Sequence, residues 1–344
     1  MYQFPLMDEC LDQKMKYKKF ALTLTLTLST ISLALPTMSC AAENTWPDHQ
    51  VTLVVGYAAG GTTDIIARLM AKTLTAATGQ PFVVENRSGA NSNIGAENVK
   101  RARADGYTYF VGSTANAINH SLYKNLNYNI YSDFESVALL GTVPNLLVVN
   151  PKLPVKTVQE YIDFAKQNPG KLSCASSGTG SGIHMSCELF KLKTGTNILH
   201  VPFRGSGPAD AAVIGNQVDS IFDNLPSILG QVKAGSLRAL GITTLQRSPS
   251  VPNVPTLDEA GVKGFSVQSW FGLFAPKNTD PQIVQKINAL LNQSFKTKEM
   301  IASYSSLGIV VPSEKNTPRD FNEFVKGEVD RWATVVKEAN LPPL

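Results

Sequence analysis

The sequence predicts an α/β protein of two lobes around a hinged cleft. Three observations carry that expectation. From Trp46 onward, apolar runs of strand length alternate with helix-patterned segments, the signature of a parallel, doubly wound sheet. The working chain of about 300 residues exceeds one comfortable core and favours two lobes. The stretch after Phe274 reads mostly as helices without strands of their own, so it needs another lobe to cover.

Taken in order, 51–56 is a continuous apolar run of strand length. Thr62–Thr78 follows as a helix with Ile65, Ile66, Leu69, Met70 and Leu74 on one face, stopped by Gly79 and Pro81. "FVVEN" (82–86), a helical stretch within 94–104 and "YTYFVG" (107–112) continue the alternation. A second series starts after "NLLVVNPKLPV", where Thr157 and Glu160 form a capping box. Strand "LSCAS" (172–176), helix 183–193, "ILHVPF" (198–203), a short helix from Pro208, "VDSIFDN" (218–224) and "RALGIT" (238–243) come next. "VQSWFGLFAP" (267–276) reads as a long strand, and Asp280-Pro281 and Thr317-Pro318 start the last helices. If the tail returns to the first lobe, the chain crosses near 146–150 and 270–274. The expected division is then lobe 1 at 43–146 plus 274–344, and lobe 2 at 147–273.

Residues 1–42 read as a secretory signal, with Met15 as the true start. Lys14, Lys16, Lys18 and Lys19 precede a 15-residue apolar run at 21–35, and "TMSCAA" supplies small residues for cleavage between Cys40 and Asn44. A membrane anchor is the alternative, but spanning a bilayer takes about 20 apolar residues. Cys40 also permits a lipoprotein, although Thr37, Met38 and Ser39 lack the aliphatic residue such a site wants. An exported chain is therefore expected. Without residues 1–42, 27 Lys and Arg face 24 Asp and Glu, a charge of +3. That is too mild for nucleic acid as a partner. Cys174 and Cys187 either bridge, which would contribute about 3 kcal/mol, or remain buried thiols.

Two glycine turns hold the chemistry. "YAAGGTTD" ends the first strand, where open α/β sheets bind ligands. Gly60 and Gly61 allow close backbone approach and positive φ, and Thr62 or Thr63 caps a helix whose free N–H groups attract an anion. An ordinary capped helix is the plain alternative. "SSGTGSGIH" (176–184) is the counterpart in the second series, and "FRGSGPAD" (203–210) adds Arg204 and another helix start. "FDN" (222–224) ends a strand beside them, and Trp270 either walls the pocket or lies in the core. Walker, dinucleotide and nucleophile-elbow spacings all fail. His49, His120, His184 and His200 are scattered, which proposes neither a metal site nor a general base. No cofactor and no catalysis are expected.

The ordered series "WPDHQVTLVVGYAAGGTTDIIARLMAKTL", "VVENRSGANSNIGAENV", "DGYTYFVGST", "SSGTGSGIHMSCELF", "HVPFRGSGPAD", "IFDNLPS" and "VPTLDEAG" resembles the Bug-type periplasmic substrate-binding proteins of tripartite tricarboxylate transporters, from about Trp46 to Lys337. The resemblance implies a two-lobed periplasmic-binding-protein fold (Venus-flytrap, type II-like) with the ligand cleft between lobes. It implies a monomer that clasps a mono-, di- or tricarboxylate, aromatic carboxylates included, and delivers it to membrane permease subunits. A receptor feeding a sensor kinase is the alternative, and a periplasmic enzyme a more distant one. Carried over by position, the ligand-binding residues are Tyr57, Ala58, Ala59, Gly60, Gly61, Thr62, Thr63 and Asp64, then Ser113 and Thr114. The second lobe supplies Ser176, Ser177, Gly178, Thr179 and Gly180, with Arg204, Gly205, Asp223 and Trp270 around them. Three departures stand out: Ala59 where the family usually has Pro, Ser92 where it has Gly, and Phe203 for a common Tyr.

Overall fold

The computed structural model describes residues 46–312, 315–338 and 341–344. The signal segment, with Met15 and Cys40, lies outside the described residues. Strand β1 (Val51–Val55) runs parallel to β2 (Phe82–Asn86) and β3 (Thr108–Ser113), and the full order is β2-β1-β3-β9-β4-β7-β5-β6. Here β4 is Phe134–Val149, β5 Ser173–Ser176, β6 Leu199–Pro202, β7 Ser220–Asn224 and β9 Gln268–Pro276; β8 (Arg238–Ile242) also pairs with β4.

One strand, β4, belongs to both halves. Residues 134–144 pair with β9, and Asn145 to Val149 pair with β7. On the return, Val267 N–H still donates to Thr243 of the second half, while Gln268 already pairs with Pro144. The sequence reading lacked the strand at 134–144. Gly141 and Pro144 interrupt its apolar pattern, and two register shifts in the ladder with β9 break its alternation.

Ten helices cover the sheet among the described residues: α1 (Thr62–Thr78), α2 (Asn93–Lys100), α3 (Thr114–Leu122), α4 (Val158–Gln167), α5 (Gly182–Thr194), α6 (Ser206–Ile214), α7 (Leu225–Lys233), α8 (Pro281–Ser294), α9 (Lys298–Leu307) and α10 (Pro318–Glu338). β1 is apolar on both faces, as a strand covered on both sides must be. Leu53 and Val55 pack with Ile66, Met70, Leu291 and Tyr304 of α1, α8 and α9. Val54 packs with Val99, Ile118 and Phe321 of α2, α3 and α10. The tail helices thus return to the first half, where α10 packs on α3 and β4, and α8 on α1. Cys174 and Cys187 are buried free thiols, with no bridge between them.

Candidate functional site

At the carboxyl ends of β1, β3, β5 and β7, where an open α/β sheet leaves room for ligands, the two halves enclose a small cavity. It leaves about 30 Å³ for the centres of water-sized molecules. Its wall is built from helix starts. The first half contributes Gly61, Thr62 and Thr63 at α1, and Ser113, Thr114 and Ala115 at α3. The second contributes Ser181, Gly182 and Ile183 at α5, Ser206 at α6 and Asn224 at α7. Tyr57, Ser177, Ser269 and Phe271 complete it. Among the described residues none that line it is charged. Five helix N-termini converging on one polar cavity turn five positive dipole ends toward it.

The caps sharpen this. The threonines expected to cap α1 do not; its cap is Gly61, and no side chain accepts from the first turn. Thr62 Oγ1 instead donates to Ser227 Oγ in the other half, at 3.3 Å. Gly205 before α6 and Asn224 before α7 likewise provide no side-chain cap. Ser181 does cap α5, its Oγ accepting from His184 N–H at 3.1 Å. Three of the five starts therefore lack a side-chain cap.

The halves touch through glycines, so the cleft is shut. Ala58 N–H donates to the Arg204 carbonyl across it, at 3.1 Å. A Cβ added at Gly207 would lie 2.7 Å from the Ala59 carbonyl oxygen, one at Gly205 3.1 Å from Ala58 N, and one at Gly182 3.0 Å from Ser269 Oγ. Gly60 has φ 89°, a conformation other residues resist, whereas Gly61 has φ −83° and faces Ser206, whose Cβ would lie 3.4 Å from an added Cβ.

Several candidates support the loops instead of lining the cavity. Asp64 points away from it and accepts from Gly60 N–H (3.1 Å), Arg68 Nε (2.9 Å) and Asn86 Nδ2 (3.0 Å). Burial alone would raise its pKa, but these partners hold the carboxyl below the usual range. Ser176 is fully buried; its Oγ lies 2.6 Å from His200 Nε2 and accepts from Gly178 N–H. Gly180 N–H donates to His184 Nδ1 at 3.1 Å, and the rings of His184 and His200 stack at 3.8 Å. The scattered histidines of the sequence are thus neighbours. This serine–histidine pair lies off the cavity and its serine is tied to the loop backbone, so it braces the turn. Burial, then the adjacent His184, lowers His200 to about 3.

Ala58, Ala59, Gly60, Gly178 and Gly180 belong to the facing turns without lining the cavity, and Thr179 is half-buried beside them. Arg204 is exposed and meets the first half through its carbonyl, and Gly205 abuts Ala58. Asp223 lies beneath the wall, accepting from Ser206 Oγ at 2.6 Å. Trp270 is 1% exposed and packs with Phe274, Phe321 and Phe324. Successive strand side chains point to opposite faces, so Ser269 and Phe271 reach the cavity and Trp270 cannot.

Sequence reasoning also missed a buried amide network. Tyr57 Oη donates to Asn91 Oδ1 (3.0 Å), Asn91 Nδ2 to Asn119 Oδ1 (2.8 Å), and Asn119 Nδ2 to Asn93 Oδ1 (2.6 Å). Asn91 sits 3.1 Å from where a Gly178 Cβ would be, which places this network against the second-half turn. The signal was "GANSN", since Asn tolerates the left-handed backbone found at Ala90, Asn91 and Ser92.

A two-lobed α/β fold with helix starts converging on a shut cleft defines the class: a periplasmic binding protein of the Venus-flytrap type. A model of the tripartite tricarboxylate transporter family receptors, TctC, matches residues 66–341, and the chain belongs to that family. It is 35% identical over 322 residues to protein BugT of Bordetella pertussis, covering 92% of this chain and 98% of that protein. Among solved structures, it is similar to Rpa4515 of R. palustris with adipate (38% identity, TM-score 0.84, 87% of this chain and 100% of that one). It is also similar to MatC of Rhodopseudomonas palustris with bound malate (35% identity, TM-score 0.81, 85% and 100%). Proteins of this family are periplasmic receptors, and no described helix is long and apolar enough to cross a membrane.

Proposed function

We propose that the chain is a non-catalytic extracytoplasmic receptor that captures a small carboxylate between its lobes and hands it to the membrane subunits of a tripartite tricarboxylate transporter. The carrying observation is the convergence of five helix N-termini on a cavity with no charged side chain in its wall. Such a site attracts an anion through backbone N–H groups and dipoles. Micromolar capture needs about 8 kcal/mol, and several charge-assisted hydrogen bonds at roughly 1.5–3 kcal/mol each reach that after ordering costs, without a lysine. We take the partner changes at 144/145 and 267/268 as the hinge crossings, with the signal removed on export. The adipate and malate bound to the two R. palustris relatives support the ligand class.

Isothermal calorimetry of the folded protein against mono-, di- and tricarboxylates, with amines and sugars as controls, tests the reading. Binding of at least one carboxylate, returned chemically unchanged, is expected. A folded protein that binds none of them would overturn it.

A further inference from the structure

Away from the ligand cavity, a second opening lies on the outer edge of the sheet. β8 pairs with β4 on one side. On the other side the 255–257 segment covers only Ile242, whose N–H donates to the Pro255 carbonyl and whose carbonyl accepts from Leu257 N–H. Among the described residues no strand lies beyond β8 between Arg238 and Gly241, so this stretch presents an open edge of backbone N–H and C=O groups. The edge borders a groove with about 710 Å³ for the centres of water-sized molecules. Lys156 and Val158 at the start of α4, Val232 near the end of α7, and Leu237, Arg238 and Leu240 line it. It shares no residue with the ligand cavity. It also sits at the start of β8, whereas the cavity lies at the carboxyl ends of β5 and β7, which run the same way.

The charge at this groove is of one sign. Lys156 and Arg238 line it, Lys233 follows Val232, and among the described residues none of the three has a carboxylate partner. Arg238 donates to the carbonyls of Leu153 at 3.3 Å and Val155 at 2.8 Å, which fix its position and leave its charge uncancelled. No acid among the described residues lines the groove. Those nearest in sequence are engaged: Glu160 accepts from Lys156 N–H, Asp163 accepts from Gln159 Nε2, and Glu259 pairs with Arg247.

An open strand edge, apolar walls and a cationic rim fit one kind of partner, an extended acidic peptide that adds as a strand. Its backbone would bond the edge, and its alternate side chains would meet the apolar walls and the lysines. A small carboxylate would leave the edge and the walls unfilled. A second copy of this chain matches poorly, because its end strands β2 and β6 carry one acid between them, Glu85, which Arg87 holds. We propose that the β8 edge is a docking surface for an extended acidic segment of the transporter's membrane subunits. The inference rests on the delivery reading and gives docking and capture separate residues. Attraction of this kind speeds encounter and is screened by salt.

Two measurements test it. In nuclear magnetic resonance of the isotope-labelled protein, the peptide Val-Glu-Val-Glu-Val-Glu should shift amides at 238–241 and 156–159, and Val-Lys-Val-Lys-Val-Lys should shift neither. Purified membrane subunits in detergent should bind the wild type, and Lys156→Glu combined with Lys233→Glu should weaken that binding by about tenfold or more at low salt. Melting temperature and carboxylate affinity of the double variant should stay unchanged. Undiminished subunit binding by the folded double variant would overturn the inference, as would equal shifts from both peptides. So would wild-type binding to phosphatidylglycerol vesicles, or a wild-type dimer in solution, lost in the double variant; these would assign the patch to a lipid surface or to a second copy. A wild type that captures carboxylates yet binds no membrane subunit would overturn docking and delivery together and leave the capture reading standing.

Discussion

The turn at 57–64 and the turn at 176–184 both carry a parallel strand into a helix whose start faces the cavity, yet they are held by different chemistry. The first is fastened by charge, with Asp64 gathering Gly60 N–H, Arg68 and Asn86. The second is fastened by imidazoles: His200 Nε2 meets Ser176 Oγ, and His184 Nδ1 accepts from Gly180 N–H. An amide cradle must be rigid before its ligand arrives, or affinity is spent ordering it. An acid can supply that rigidity near an anion site only when it points away and is neutralised, as Asp64 is by Arg68. Beside α5 the same task falls to two stacked imidazole rings.

The largest effect should come from preventing the two turns from meeting. Gly61→Val adds branches toward Ser206, whose Cβ would be 3.4 Å from the new Cβ alone, and Gly207→Ala puts a methyl 2.7 Å from the Ala59 carbonyl oxygen. Each change leaves the halves' own cores untouched. Carboxylate affinity should fall a hundredfold or more for Gly61→Val, about 3 kcal/mol, and at least tenfold for Gly207→Ala, with melting temperatures little changed. Wild-type affinity in either folded variant would mean that closure does not bring these turns together.

Acid should separate the two fastenings. The pKa of His200 is depressed in the folded state to about 3, so its contribution is fully present above the unfolded value near 6.5 and drains away as pH falls toward 3. At pH 5 the loss approaches about 2 kcal/mol. Asp64, held below the ordinary carboxylate range, loses its contribution only as pH falls through its own lower value. Amide hydrogen exchange, corrected for intrinsic rates, should therefore rise at 176–182 between pH 7 and 5 and stay level at 58–64. His200→Gln should abolish that pH response. Equal responses of both turns would show that the imidazoles do not brace the second one.

Much of this architecture was legible in the sequence because period-two and 3.6-residue patterns are local. The strand at β1, the helix Thr62–Thr78 and the proline-marked starts of α8 and α10 follow from neighbouring residues alone. The cavity wall was only partly legible. Gly61, Thr62, Thr63, Ser113, Thr114 and Ser177 line it, and each sits where a strand hands over to a helix. What the sequence hid are pairings across the fold: His184 with His200, Asp210 with Asp223, and Asn91 with Asn119. Each of these joins residues on different elements that only the sheet order brings together. Trp270 shows the opposite failure. Its position left pocket wall and core both open, and strand alternation gave the pocket to Ser269 and Phe271 and the core to Trp270.

The smallest predicted effect concerns strain in the turn that backs the first loop. Ala90, Asn91 and Ser92 all have positive φ, at 44°, 51° and 75°. For Asn91 the amide network repays this, since its side chain ties Tyr57 to Asn119. Ser92 receives nothing comparable: its Oγ is buried without a partner, and a Cβ at Gly56 would sit 1.9 Å from it. A non-glycine residue in this conformation costs about 1–2 kcal/mol, partly offset by the greater freedom of an unfolded glycine. A buried hydroxyl without a bond adds to that cost. Ser92→Gly should therefore raise stability by about 1 kcal/mol in urea titration with an unchanged slope, and leave carboxylate affinity within twofold. A destabilised variant would show that Ser92 Oγ holds the loop by a contact that outweighs the backbone strain. A change in affinity with stability unaltered would instead tie this residue to the geometry of the 57–64 turn.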